Sequence, residues 1–340
     1  MLRDEARQPA IYRPGPYWLP YQRRVAKAIR RLGLRDFRAH GAIGKGYADT
    51  LTIRADDVWI GQGPLRHGLK AALARMPILR GMLADYERIV DTAVASAQRH
   101  RDGYYMGRFG DWLREQNRRT PLPVTTHGGT IELVHLDGVD VARLYIDVLL
   151  RLHNFSQHVA LDRVRSVLEI GGGFGAWVHL LLNRHSNVRK VAYVDIPPMI
   201  YVGTQYLQHF YGAAVRDYRQ TSGPERIRFS DNDSLEILCL CPWQIERLEA
   251  KVDLFWNTGS FAEMTPEIVR NYARHIGRLL VPAGTACLLI NKAAQPDRRT
   301  TTPEDIFAAF AGAMAFETFA PALEHEGHGL YAVGRTTRPA

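Results

Sequence analysis

Between residues 163 and 335 the chain alternates short apolar runs with longer amphipathic ones over five units, and this alternation limits its fold most. Strands are expected at "VRSVLEI", "KVAYVDI", "RIRFS", "KVDLFWNT" and "TACLLINK". Between them "GAWVHLLLNRH", "PMIYVGTQYLQHFYG" and "TPEIVRNYARHIGRLL" have helical periodicity, and "CPWQIERLE" can hold a short helix. "TPEDIFAAFAGA" opens on a Thr302 cap with Asp305 three residues later, and "FETFAP" and "GLYAVGRT" form a closing strand pair. Strand and helix alternating in this way mean an α/β fold: a mostly parallel sheet with helices on both faces and right-handed crossovers. Such sheets bind ligands outside the carboxyl ends of their strands. The rim then carries Glu169 to Gly175, Asp195, Ser230 to Asp233, Asn257 to Glu263 and Asn291.

The first 140 residues have a different texture. "YQRRVAKAIRRLGL" sets Val25, Ile29 and Leu32 at helical spacing, and "LRHGLKAALARMPILRGMLADYERIVDTAVASAQRH" is expected to be helix interrupted at Pro77. "GVDVARLYIDVLLRLHNF" places Val141, Leu144, Tyr145, Val148 and Leu149 on one helical face. Two regions are therefore expected: a mainly helical one over 1–140, serving as lid, substrate or oligomerisation element, and the sheet domain over 141–340.

Composition excludes several classes. Among 340 residues, 46% are hydrophobic and 23% charged, which suits a packed core, and no apolar run reaches the ~18 residues of a membrane span. The start, "MLRDEARQPAIYRPGPYW", has charges and prolines where a secretory leader needs an apolar stretch, so a cytoplasmic location is expected. Three cysteines do not make a disulfide framework, and Cys239, Cys241 and Cys287 read as small apolar residues. The net charge of +9 is spread out, without basic–aromatic mixing or a nucleic-acid motif, and reads as a solvated basic surface.

"VLEIGGGFGAWVHLLL", Val167 to Leu182, is a strand, a glycine turn and a helix. Gly171, Gly172, Gly173 and Gly175 permit unusual backbone angles and close ligand approach. Gly171-x-Gly173-x-x-Ala176 also matches the dinucleotide fingerprint, in which the next helix holds a pyrophosphate. Glu169, at the strand end, argues against that ligand, because a carboxylate repels a pyrophosphate. It suits a cationic ligand such as the ammonium or sulfonium of S-adenosylmethionine. Asp195 ends the next strand, twenty residues past the last glycine, where a carboxylate can accept both ribose hydroxyls, or cap a helix before Pro197.

"LEIGGGFG", "YVDIPP" and "DLFWNTGSFAEM", in this order, resemble the class I S-adenosylmethionine-dependent methyltransferases, and more narrowly a bacterial family of sugar O-methyltransferases. The matching residues are Glu169 to Gly173, Asp195 to Pro198, Asp253-Leu254, Asn257 and Ser260 to Met264, within a likeness covering roughly 140–335. The resemblance implies a Rossmann-like seven-stranded sheet of order 3-2-1-4-5-7-6 with an antiparallel strand in the last hairpin. It implies that Glu169 and the glycines meet the methionine part and Asp195 the ribose, and that Ile196 flanks the adenine. Asp231 or Asn232, at the end of the third expected strand, would bond the adenine amine, and Asn257 and Thr258 would contact cofactor or acceptor.

Methyl transfer to a hydroxyl needs alignment and a base for the departing proton. Glu263 is the candidate base or substrate clamp on the rim, with a cap for the following helix as its structural alternative. His127, in the loop "TTHGGT", and His153, before the first strand, are the other candidates. His158 also precedes that strand; His325 and His328 lie in a polar turn, and His179, His185 and His275 lie within helices away from the rim. Asp231 and Asp233 lack a third metal ligand, and no metal site is expected. Trp256 reads as core or as a stacking surface, and "YRPGPYW" as acceptor wall or N-terminal packing.

The expected function is thus O-methylation of a small-molecule hydroxyl, a sugar or glycosylated natural product, with S-adenosylmethionine as cofactor. The partner is that acceptor, with neither nucleic acid nor membrane, and homo-oligomerisation stays open. The alternatives are an NAD(P)-dependent oxidoreductase, a nucleic-acid or peptide methyltransferase, and a binding protein that kept the fold.

Overall fold

The apolar runs that end at Ile170 and Val194 lie side by side as parallel strands in the computed structural model, which describes residues 1–39, 77–291, 301–323 and 329–337. Expectations for His325, His328, Arg298 and the chain between 40 and 76 fall outside these residues. Two compact units result: residues 1–31 with 147–340, and residues 32–146.

The larger unit is built on an eight-stranded sheet. Its strands are β3 (Ser166–Ile170), β4 (Lys190–Val194), β5 (Val215–Arg216), β6 (Glu236–Leu240), β7 (Val252–Thr258), β8 (Leu280–Asn291), β9 (Met314–Phe319) and β10 (Gly329–Thr336). They lie in the order β5-β6-β4-β3-β7-β8-β10-β9, and β10 alone runs opposite to the other seven. The central strands are buried nearly end to end, as strands covered on both faces must be.

Adjacent residues of β7 show the two faces. Trp256 stacks on Trp177 of α5 (Ala176–Arg184) at 4.4 Å and meets Phe155 of α4 (Arg143–Ser156) edge-on at 4.8 Å. Phe255 points to the opposite face, toward Phe261 at 5.7 Å and Phe310 at 6.5 Å. On that face Phe261 in turn stacks on Tyr272 of α8 (Pro266–Leu279). Trp256 is therefore core, wholly removed from solvent. The three cysteines are likewise buried and free.

Two expectations about the sheet are corrected. There are eight strands and not seven, because the two-residue β5 adds an edge beside β6. "RIRFS" is not the third strand: only Ile227 is bridged, to Leu248, while Arg226 and Arg228 point outward to Glu249. The strand is "EILCL", all five residues of which are buried between β4 and β5. An exposed residue on each side of one isoleucine cannot fill a central strand, whereas a continuous apolar run can.

Three elements of the larger unit come from the first 31 residues: α1 (Leu2–Glu5), a short 3-10 turn (Ala10–Tyr12) and most of α2 (Leu19–Leu32). Tyr12 donates to Glu246 Oε1 at 2.6 Å and meets His275 Nε2 at 3.1 Å, anchoring this arm to α8. The smaller unit holds α3 (Pro77–Arg119), which opens at Pro77 where an interruption was expected. It also holds a hairpin of β1 (Leu133–Leu136) and β2 (Val139–Ala142). The hairpin takes Val141 out of the expected helix, which starts at Arg143, and turns through Asp137 and Gly138, both at positive φ. Among the described residues, no helix is long and apolar enough to cross a membrane.

Candidate functional site

The carboxyl ends of β3, β4 and β7 converge where the order of strands reverses about β3, the place at which open α/β sheets bind ligands. The glycine turn after β3 has two physical causes. Gly171, Gly173 and Gly175 have φ of 73°, 65° and 91°, a region closed to most side chains. Gly172 has no positive φ, but a Cβ there would stand 2.3 Å from Glu169 Oε2. The Tyr193 hydroxyl of β4 donates to the Gly173 carbonyl from below.

Asp195 is tied to this turn. Its Oδ2 accepts from Gly173 N at 2.8 Å and its Oδ1 from Ile196 N at 2.7 Å, so the backbone holds the carboxylate in place. It fastens the glycine turn and does not cap the following helix. Burial pushes its pKa up to about 7, against the lowering effect of the two N–H groups, and the charge of Glu263 adds to the rise.

Glu169 is 3% exposed, and its Oε2 has no hydrogen-bond partner. Burial, and then the charge of Asp195, raise its pKa well above the ordinary carboxyl range. Glu263 follows the turn after β7 and accepts a hydrogen bond from Trp18 Nε1 at 2.8 Å. Its pKa rises to about 7 by burial, and the indole N–H opposes the rise. In a chain of net charge +9, these three carboxyls share one rim, and no lysine or arginine among the described residues pairs with them. The rim thus presents buried, uncompensated acid to whatever binds there.

Asn257 acts within the frame. Its Nδ2 donates to Ile170 O at 2.8 Å and Ser260 Oγ at 2.5 Å, and its Oδ1 accepts from Phe261 N at 3.3 Å. These bonds join β3 to the turn that carries Glu263, which leaves Asn257 2% exposed. Ser260 Oγ donates to the same Ile170 carbonyl at 3.1 Å. Thr258 and Ile196 are half-buried at the strand ends.

The structure brings together Glu169, Gly171, Gly172, Gly173, Gly175, Asp195, Ile196, Asn257, Thr258 and Glu263. Asp231 and Asn232 are corrected: they precede β6, since the true third strand begins after them, and so lie at the amino edge of the sheet. There Lys190, the first residue of β4, donates to Asn232 Oδ1 at 3.1 Å, and Asp231 is exposed. His127 belongs to the smaller unit, where its carbonyl accepts from Arg38 at 3.2 Å. His153 lies in the last turn of α4, on the chain leading into the amino end of β3, and its carbonyl accepts from Ser156 Oγ at 2.7 Å. His179 is buried against Phe210, and His275 is held neutral, its pKa lowered to about 4 by burial and by Arg274 and Arg278.

Sequence reasoning missed Gln22 and Glu5 at the rim and left the segment of Trp18 open, as acceptor wall or N-terminal packing. Gln22 Nε2 donates to Pro197 O at 2.7 Å and to Glu5 Oε2 at 2.5 Å. Part of the signal was present, since "YRPGPYW" is aromatic and stiff, but nothing local ties it to Glu263. Among the described residues, no group of three or more His, Cys, Asp or Glu side chains is placed to hold a metal ion.

No protein-family model and no curated protein matches the chain. Solved structures with some likeness include the mitomycin 7-O-methyltransferase MmcR, at 14% identity and TM-score 0.41, covering 56% of this chain and 54% of that one. The N-methyltransferase NodS from Bradyrhizobium japonicum, in complex with S-adenosyl-L-homocysteine, has 15% identity and TM-score 0.38, covering 57% of this chain and 86% of that one. Magnesium protoporphyrin IX methyltransferase from Synechocystis, with bound S-adenosylmethionine, has 11% identity and TM-score 0.39, covering 57% and 81%. The chain spans about half the length of MmcR. With TM-scores below 0.5, these likenesses carry no argument for its chemistry.

Proposed function

We propose that the chain is a class I S-adenosylmethionine-dependent methyltransferase acting on a hydroxyl of a small molecule, a sugar or glycosylated natural product. The observation that carries this is the buried, unpaired acid of Glu169, Asp195 and Glu263 around a glycine turn. Burying carboxyls without a counter-charge is costly, and a cationic ligand offsets that cost. A pyrophosphate would worsen it, which argues against the nicotinamide alternative. The strand order supports the same reading: with β5 set aside and β3 counted first, it runs 3-2-1-4-5-7-6.

The residues present fit such a cofactor, since the orphan Glu169 Oε2 needs a donor and an ammonium is one. Glu169 and the glycine backbone would hold the amino-acid end, Asp195 the ribose, and Ile196 one face of the adenine. When bound, the cofactor supplies an electrophilic methyl carbon on a sulfonium. Glu263 would take the acceptor's hydroxyl proton, and a pKa about 7 suits a base working near neutrality. Trp18 orients that carboxyl through its Nε1 bond.

Thermal unfolding with added ligand tests the proposal. S-adenosylmethionine and S-adenosylhomocysteine are expected to raise the midpoint and NAD to leave it unchanged. Stabilisation by NAD alone overturns the reading. Mass spectrometry of candidate glycosides, watched for the gain of one CH₂, then identifies the acceptor.

A further inference from the structure

The carboxyl end of β6 is where the sheet would offer a side chain to the cofactor's base, and it offers none. Cys241 is buried, its thiol pKa raised well above the usual range by that burial, and Pro242 and Trp243 carry no side-chain acceptor. Gln244 is fully engaged: its Oε1 accepts from Cys241 N at 2.8 Å, and its Nε2 donates to Thr221 O at 2.9 Å and Thr221 Oγ at 3.0 Å. Asp231 and Asn232 are at the opposite edge of the sheet.

The N-terminal arm brings a carboxyl to this gap. Gln22 bridges Pro197 O and Glu5 Oε2, which sets Glu5 beside the segment that follows Asp195. Tyr218 donates to Asp4 Oδ2 at 3.0 Å and meets Trp243 edge-on at 6.1 Å, so α1, which carries Glu5, also neighbours the end of β6. Glu5 is 6% exposed, and while Oε2 is bonded to Gln22, Oε1 has no partner. A buried carboxyl oxygen without a donor is destabilising and rare in folded proteins.

We infer that Glu5 reads the adenine of the cofactor, its free Oε1 accepting the exocyclic amine, so that the base-recognising carboxyl comes from the N-terminal arm and not from the sheet. This rests on the cofactor proposed above. It makes the first 31 residues part of the cofactor site and predicts discrimination between a 6-amino and a 6-oxo purine, because the oxo group presents an acceptor to an acceptor.

Burial raises the Glu5 pKa to about 7, so calorimetry of the full chain at about pH 8, where that carboxyl is ionised, with S-adenosylhomocysteine and with S-inosylhomocysteine, its 6-oxo analogue, tests the inference. The unaltered protein is expected to prefer the adenine ligand by about tenfold or more, the size of one hydrogen bond to a charged acceptor. Glu5→Ala should weaken S-adenosylhomocysteine by a similar factor and leave the 6-oxo ligand no weaker, so that the preference collapses. Glu5→Gln keeps the volume and carries the same comparison should the alanine variant not fold. Its amide must set an NH₂ either against Gln22 Nε2, already committed to Pro197 O, or against the adenine amine, so the preference again falls. An unchanged preference in the variants overturns the role of Glu5. Binding of neither ligand by the unaltered protein overturns the cofactor reading itself.

Discussion

Trp18 Nε1 donates to Glu263 Oε2 at 2.8 Å across 245 residues of sequence, and this one bond ties the N-terminal arm to the turn after β7. Glu263→Gln is expected to lower turnover by about 10²–10⁴, the usual worth of a positioned base, with cofactor affinity nearly unchanged. Trp18→Phe removes a donor that holds the Glu263 pKa down, so the acidic limb of the pH–rate profile should move to higher pH. Turnover unaffected by Glu263→Gln removes it as base, and an unmoved limb removes Trp18 as its tuner.

Glu169 has a sign that can be worked out. Its folded pKa lies above the unfolded one, so the folded state holds the proton more tightly, and the stability this contributes is lost as pH rises through the folded pKa. Glu169→Gln should therefore raise the melting temperature of the ligand-free protein, at ~2–4 °C per kcal/mol, and the gain over the parent should grow with pH. The same variant should lose S-adenosylhomocysteine binding. A constant difference in melting temperature between acid and alkaline buffers contradicts the buried, unpaired carboxyl.

Asp195 accepts two backbone N–H groups and so shapes the turn, and in the proposed site it would also meet the ribose. Asp195→Ala is expected to weaken cofactor binding by roughly 10–100-fold, as for lost hydrogen bonds to a charged group. Calorimetry with S-adenosylhomocysteine measures this, and an unaltered Kd rejects the ribose role.

Gly172→Ala adds a Cβ 2.3 Å from Glu169 Oε2 without any demand on φ. The Glu169 side chain must shift, and cofactor affinity should fall together with ~1–3 kcal/mol of stability from overpacking. Retained affinity and an unchanged urea midpoint would show that Glu169 does not fill that space.

Much of the rim was legible because its signals are local. Glu169 and Ile170 close an apolar run and the glycines follow at once, so strand end, carboxylate and turn lie within seven residues. Asp195 likewise closes its own strand. The third strand was misassigned because Arg226 to Ser230 alternates like a half-buried strand, while the continuous run at Ile237 has no period to distinguish it. That single shift moved Asp231 and Asn232 to the wrong edge. Asn257 was seen as a rim residue, but its work in clamping Ile170 to Ser260 depends on two strands meeting.

The sequence alone determined the alternating α/β order, the glycine turn and the acid at the strand ends, because periodicity and backbone permission act between near neighbours. Only the tertiary structure decided that Trp18 meets Glu263, that Gln22 meets Pro197 across 175 residues, and that Glu5 lies buried against Gln22. It also decided that Glu169, Asp195 and Glu263 hold their protons to unusually high pH. Desolvation belongs to a folded interior, and no residue carries it in its name.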